Sequence, residues 1–141
     1  MSAGKLGPQD VITASPSDSI ETVASRLGSE NVGAVVITED NKPVGMITDR
    51  DIALSVGEHD DLADQSADQI MTSDPVTIRE DEDAMAISQK IGDAHIRRLP
   101  IVDDGGELTG IVTLDDLVAT IGEQLENVAD VIESQSPEYR P

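Results

Sequence analysis

Apolar residues along this chain fall into two spacings, and the succession of spacings occurs twice. Val11-Ile12-Thr13-Ala14 is a short β-like run, and a polar, turn-rich stretch, Ser15-Pro16-Ser17-Asp18, follows it. Ile20, Val23, Ala24 and Leu27 then recur at helical spacing, with Asp18 placed as an N-cap or first-turn carboxylate. Two further apolar runs, Ala34–Ile37 and Val44–Ile47, flank Glu39-Asp40-Asn41-Lys42, which reads as a hairpin turn. A helix from Asp49 to about Val56 closes the unit. The second pass gives Val76–Ile78 as strand, then Ala84, Ile87, Ser88 and Ile91 as helix with Glu82 at its start. Leu99–Val102 and Leu108–Val112 form a hairpin around Asp103-Asp104-Gly105-Gly106, and a last helix runs from Leu114 to about Ile132.

The predicted order is thus β-α-β-β-α, twice over: an α/β (α+β) fold built from an internal repeat. From Asn31 to Ala53 the second copy aligns without a gap, 65 positions downstream, as Gly45 against Gly110 shows. Upstream, the helix of the second copy needs one extra residue. The organisation predicted is a first domain over 9–57, a linker over 58–68, a second domain over 69–134 and a flexible tail over 135–141. Ile70-Met71-Thr72 leads into the second copy.

Composition narrows the chemistry. There is one Tyr and no Phe or Trp, so Val, Ile, Leu, Met and Ala must build the core, which suits layered α/β packing. Twenty-nine acidic residues against nine basic ones leave a net charge of −20. That charge repels phosphate backbones and anionic lipid, and argues against nucleic acid or membrane as partner. An Asp-rich, Lys-poor globular chain reads as salt-adapted, since concentrated salt screens its self-repulsion. With no Cys there is neither a disulfide framework nor a thiolate metal site. No apolar run reaches the roughly 18 residues of a membrane helix, and Met1–Pro8 lacks the apolar stretch of a secretory signal, so a cytoplasmic location is expected.

Within the gap-free part of the repeat, three positions are identical: Gly45/Gly110, Thr48/Thr113 and Asp51/Asp116. They spell Gly-x-x-Thr-x-x-Asp at the end of a strand and the start of a helix. A helix N-terminus offers free N–H groups and a positive dipole end to a phosphate or polarised hydroxyl. The Thr hydroxyl can face a ligand, and the Asp can hold ribose hydroxyls, as acids do in other nucleotide folds. Thr-x-x-Asp is equally a serviceable capping box needing no ligand. Arg97 and Arg98 stand side by side next to an apolar strand, and adjacency alone reads as solvated surface charge. His59 reads as exposed linker, His95 as a helix-terminal cation, and neither suggests a metal pair.

Gly45-Met46-Ile47-Thr48-Asp49-Arg50-Asp51-Ile52 and Gly110-Ile111-Val112-Thr113-Leu114-Asp115-Asp116-Leu117 resemble the final strand-to-helix motif of cystathionine-β-synthase (CBS) domains. Ile96-Arg97-Arg98-Leu99-Pro100-Ile101-Val102-Asp103 is similar to the family's middle motif, and Ile70-Met71-Thr72 to its opening segment. The resemblance covers about residues 10–120. It implies two repeats packed through their sheets into one pseudo-two-fold (Bateman-type) module. Its clefts would bind AMP, ADP, ATP or S-adenosylmethionine, with Mg2+ able to accompany ATP. Carried over by position, Asp51 and Asp116 are the ribose-binding residues. Thr48, Thr113, Arg50, Arg97 and Arg98 lie on the ribose and phosphate side, and Thr13 and Thr77 near adenine or sugar. The family further implies a homodimer formed through helices, with the long last helix adding contact, and an effector acted on in trans. Asp115 stands where the first copy has Arg50, and Val32-Gly33-Ala34-Val35 where the second has Arg97-Arg98-Leu99-Pro100, so the clefts should differ. The chain has no nucleophile–base pair, metal cluster or phosphate-cradling Gly-rich loop, so no catalysis is expected. The competing reading is a ligand-free structural or protein-interaction module.

Overall fold

The computed structural model describes residues 1–8 and 10–136. The first repeat comprises β1 (Thr13–Ala14), α2 (Ile20–Glu30), β2 (Ala34–Glu39), β3 (Lys42–Thr48) and α3 (Asp49–Ser55), preceded by a short helix α1 (Ala3–Leu6). A 3-10 turn (Leu62–Asp64), α4 (Ala67–Ile70) and β4 (Thr72–Ser73) connect it to the second. There β5 (Ile78–Arg79), α5 (Ala84–Ala94), β6 (Arg98–Val102), β7 (Leu108–Thr113) and α6 (Leu114–Gln135) repeat the order. The sheets run β1-β2-β3-β4 and β5-β6-β7. In each, the first strand is parallel to the second and the hairpin is antiparallel.

Each sheet buries one face against its own helices. Val35, Ile37 and Ile47 pack with Ile20, Val23 and Leu27, while Leu99, Ile101 and Val112 pack with Ile87, Ile91 and Leu117. Val36 and Val102, on the opposite faces of β2 and β6, are buried too but belong to neither core. Strands buried on both faces read as continuous apolar runs. The Val35-Val36-Ile37 and Leu99-Pro100-Ile101-Val102 runs are of this kind, and the second face is where the two repeats pack by their sheets. The hairpin ends also meet, Leu108 N–H donating to the Asn41 carbonyl at 2.8 Å.

The two cores are completed by exchange. Ala3 is fully buried in the second core, Ala67 fully buried in the first, and Leu6 and Ile70 pack alongside them. Ser2-Ala3 and Leu6 match Ser66-Ala67 and Ile70 in sequence. The backbone contacts match as well: Ala3 N–H donates to Glu82 O at 2.6 Å, and Ala67 N–H to Asp18 O at 2.8 Å. After α4 the chain adds β4 to the edge of β3, with Met46 opposite Thr72. After α1, Pro8 offers its carbonyl to Ile111 N–H at 3.1 Å, but a proline has no N–H to return.

Two expectations need correction. The N-caps of α2 and α5 are Ser19 and Asp83, whose side chains accept from Thr22 N–H and Ala86 N–H. Asp18 and Glu82 stand one residue earlier. They brace the preceding turns by accepting from Ser15 and Arg79 N–H, both at 2.8 Å, and pair with Arg26 and Lys90, both at 3.5 Å. The extra residue of the second copy is also not upstream of Asn31. Asn31 and His95 are the left-handed C-caps of equivalent helices, at φ 52° and 53°. Val35 pairs with Ile47 and Leu99 with Val112, while Ile37 faces Gly45 and Ile101 faces Gly110. The insertion therefore lies in the second hairpin turn, after Ile101, where a one-residue change is absorbed without shifting a buried face.

Helix α6 runs to Gln135, and Pro137–Pro141, where a flexible tail is expected, lie outside the described residues. No helix among the described residues is long and apolar enough to cross a membrane.

Candidate functional site

Thr48 ends β3 in extended conformation and caps α3. Its Oγ1 accepts from Asp51 N–H at 3.1 Å, and Asp51 Oδ2 accepts from Thr48 N–H at 2.9 Å. Thr113 and Asp116 form the same box at the start of α6, again at 3.1 and 2.9 Å. Both Thr-x-x-Asp pairs are thus capping boxes, as one of the two sequence readings requires. Each cap engages Oδ2 and leaves Asp Oδ1 available, so capping holds the carboxylate in a fixed rotamer without consuming it.

The repeated Gly serves packing. A Cβ on Gly45 would overlap the Met71 side chain, and one on Gly110 would lie 3.0 Å from the Pro8 carbonyl oxygen. What approaches these glycines is therefore the lead-in segment laid along each β-hairpin, Met71 on one and Pro8 on the other.

The first capping box opens onto a cleft of about 510 Å3, within the size range of small-molecule sites. Thr48, Arg50 and Asp51 line it from the first repeat, and Ile96, Arg97 and Arg98 from the second. Thr72, Asp74, Pro75 and Val76 of the connecting segment close one side. The sequence reading did not place these four in the site; the only signal was that Thr72 ends the Ile70-Met71-Thr72 motif and the other three follow it. Folding thus brings Arg50 together with Arg97 and Arg98, residues that belong to different repeats.

The basic pair divides on folding. Arg98 is half-buried. A Cβ at Gly33 would sit 2.8 Å from Arg98 Nη2, so the bare backbone there leaves room for the guanidinium. Arg97 is 67% exposed and lies 3.6 Å from Asp115. The side chains of Asp49, Asp51 and Asp74 share the cleft, so its charge is mixed.

The second motif has different surroundings. Gly33 O accepts from Asp49 N–H at 3.1 Å as Arg97 O accepts from Leu114 N–H at 2.8 Å, which makes Gly33 the counterpart of Arg97. Ala34 pairs with Thr48 as Arg98 pairs with Thr113. The counterparts of the arginine pair are therefore Gly33-Ala34, one position along from the sequence alignment, and the counterpart of Arg50 is Asp115. None of these three positions supplies a cation.

Thr13 and Thr77 engage a helix through their backbones. Arg26 Nη1 donates to the Thr13 carbonyl, and Lys90 Nζ to the Thr77 carbonyl at 2.9 Å. Val76, one residue before Thr77, lines the cleft, and Thr77 is not among its lining residues. A second, more open cavity of about 430 Å3 between α2, α3 and the 3-10 turn is lined by none of the repeated Gly, Thr and Asp residues. Among the described residues, no group of three or more His, Asp or Glu could hold a metal ion.

Comparison with known proteins agrees with this arrangement. The CBS domain family matches residues 6–58 and 67–123. An uncharacterized protein of Methanopyrus kandleri is 38% identical over 135 residues, covering 89% of this chain and 69% of the relative. The CBS domain pair of protein MJ0100, solved with 5′-methylthioadenosine and S-adenosyl-L-methionine, superposes with a TM-score of 0.79 at 29% identity, over 88% of this chain and 98% of that one. The CBS domain protein PAE2072 from Pyrobaculum aerophilum, complexed with AMP, does so with a TM-score of 0.75 at 27% identity, over 82% and 89%. Two repeats of one topology, packed by their sheets, with a repeated strand-to-helix motif and a family match over each copy, place this chain in the CBS domain family as a tandem pair.

Proposed function

We propose that this CBS pair is a regulatory module that binds a phosphorylated adenosine ligand, AMP, ADP or ATP, in the cleft between Asp51 and Arg98, and performs no chemistry on it. The observation that carries the reading is charge. Three of the nine basic residues of a −20 chain, Arg50, Arg97 and Arg98, converge on one cleft beside a carboxylate held in a fixed rotamer. In so acidic a chain the background potential disfavours any anion, so a site for one needs local cations. Asp51 Oδ1 would take a ribose hydroxyl, Thr48 and the α3 N-terminus would face the sugar–phosphate side, and the arginines the phosphate. Relatives of the same fold solved with AMP and with S-adenosyl-L-methionine support an adenosine ligand. The motif of Thr113 and Asp116, with Gly33, Ala34 and Asp115 in place of the arginines, would suit a ligand without phosphate, such as S-adenosylmethionine. The chain acts as a cytoplasmic, salt-adapted homodimer that signals to an effector in trans.

Calorimetric titration in molar KCl, with AMP, ADP, ATP, S-adenosylmethionine and adenosine, tests this against wild type, Asp51→Ala and Asp116→Ala. AMP binding should vanish in Asp51→Ala and survive in Asp116→Ala. No binding of any nucleotide at millimolar concentration would reduce both motifs to helix caps and favour the ligand-free interaction module. Turnover of a bound nucleotide would refute the non-catalytic part.

A further inference from the structure

Two of the three arginines in the cleft are already offset by acid. Arg97 is 67% exposed and lies 3.6 Å from Asp115. Arg50 is exposed and stands between Asp49 and Asp51 in the chain, and both of these also line the cleft. Arg98 differs on both counts. It is half-buried, and it pairs with none of the described carboxylates, whereas Arg26, Arg79, Lys90 and Arg97 all do. Three arginines and three aspartates (Asp49, Asp51 and Asp74) line the cleft together, so the lining has no net charge.

Arg98 owes its place to what Gly33 lacks. Its guanidinium reaches from the second repeat over the backbone of the first. The atoms nearest to a Cβ on Gly33 would be Arg98 Nη2 at 2.8 Å, Asp49 Oδ2 at 3.7 Å and Arg98 Cζ at 3.8 Å. The conformation of Gly33 does not call for glycine, because its φ is not positive. A methyl group there would leave the backbone as it is and displace the guanidinium, the mobile end of a long side chain.

We infer that the cleft selects a nucleoside monophosphate over the di- and triphosphate, with Arg98 as the cation that meets the single phosphate and Gly33 as the residue that positions it. A phosphomonoester carries about 1.5 to 2 negative charges at neutral pH. One unpaired guanidinium can meet it through two parallel N–H···O bonds. Each further phosphoryl group adds about one more charge. It finds only Arg50 and Arg97, whose charge is already offset, in a chain of net charge −20. The inference rests on the nucleotide reading and narrows it to one class of ligand.

Calorimetry on the full chain with adenosine, AMP, ADP and ATP, in about 0.15 M KCl and free of divalent cations, tests it. AMP should bind roughly tenfold more tightly than ATP, with ADP between them. Gly33→Ala should lower AMP affinity by roughly tenfold, the loss of one charge-assisted contact. Its adenosine affinity and its midpoint of urea unfolding should stay as in wild type. In an Arg98→Gln background, Gly33→Ala should cost nothing more. Asp49→Asn combined with Asp74→Asn keeps the side-chain shapes and removes two negative charges, so ATP affinity should rise more than AMP affinity. Wild type that binds ATP as tightly as AMP, or an equal rise for both ligands in the double variant, overturns the selection. A Gly33→Ala protein that keeps its AMP affinity, or loses AMP and adenosine equally, overturns the positioning role. Binding of no nucleotide at all overturns the inference together with the reading beneath it.

Discussion

Arg98→Gln should weaken AMP binding far more than Arg97→Gln, and neither should change the affinity for adenosine. The difference follows from where folding puts the two neighbours. A cation about 4 Å from a phosphate charge is worth about 4 kcal/mol at an effective dielectric of 20 and about 1 kcal/mol in bulk water. Arg98 is half-buried against Gly33 and lies between those limits. A charge-assisted hydrogen bond of about 1.5–3 kcal/mol translates to a loss of roughly 10- to 100-fold in AMP affinity. Arg97 is 67% exposed and already has Asp115 at 3.6 Å, so about threefold or less is expected. Salt gives an independent axis, since the screening length falls from about 8 Å at 0.15 M to about 3 Å at 1 M. The Arg97 effect should disappear over that range, and the Arg98 effect should shrink but persist. Calorimetry with AMP and adenosine at both salt concentrations measures all of this. Equal losses for AMP and adenosine in Arg98→Gln would show that the side chain holds the cleft together and does not contact phosphate. A larger loss from Arg97 than from Arg98 would refute the burial argument.

Gly45→Ala should lower stability by about 1–3 kcal/mol, because the new Cβ meets Cβ, Cγ and Sδ of Met71 and a swing of the thioether alone cannot clear it. Urea denaturation of Gly45→Ala, Met71→Ala and the double variant should give a strongly non-additive cycle, and additive costs would remove Met71 as the reason for the glycine. Ala3→Glu places a carboxylate at a fully buried position of the second core. Amide exchange should accelerate in Ile78–Leu117 more than in Val23–Ile47, and equal acceleration would contradict the exchange of lead-in segments.

The β-α-β-β-α order was legible because each element carries its own period and its own punctuation. The helices at Ile20 and Ala84 and both hairpins came out where their apolar spacing put them. Thr48, Asp51, Thr113 and Asp116 stood out by recurring, and all four occupy equivalent places. The register of the copies was misread because Arg97-Arg98 and Gly33-Ala34 share no side-chain chemistry. Only the ladder, with Arg98 facing Thr113 and Ala34 facing Thr48, aligns them. Helix α1 was invisible for a related reason. A four-residue helix has no period to detect, and its one fully buried side chain is an alanine. Its match to Ser66-Ala67 becomes meaningful only once both segments are seen in each other's core. The convergence of Arg50 with Arg98 depends on how one repeat docks on the other, which no local pattern encodes.

That docking also bears on how a bound ligand could act elsewhere in the molecule. A ligand alters a conformational equilibrium only by its difference in affinity between the states. A site wholly inside one repeat would stabilise that repeat and leave its relation to the other unchanged. The cleft is instead walled by α3 of the first repeat, by the start of β6 in the second, and by the Thr72–Val76 segment that joins them. A relative movement of the repeats that opens the cleft would separate Asp51 from Arg98, and a ligand held by both would favour the closed arrangement. At about 100 times its dissociation constant, it would favour that arrangement by about 2.7 kcal/mol over one that cannot bind it. The second repeat ends in α6, whose first turn carries Thr113 and Asp116 and whose far end projects from the body. If the repeats shift on binding, as the proposed regulatory role requires, the start of α6 moves with the second repeat, because the Thr113–Asp116 cap and the buried Leu117 fix it there.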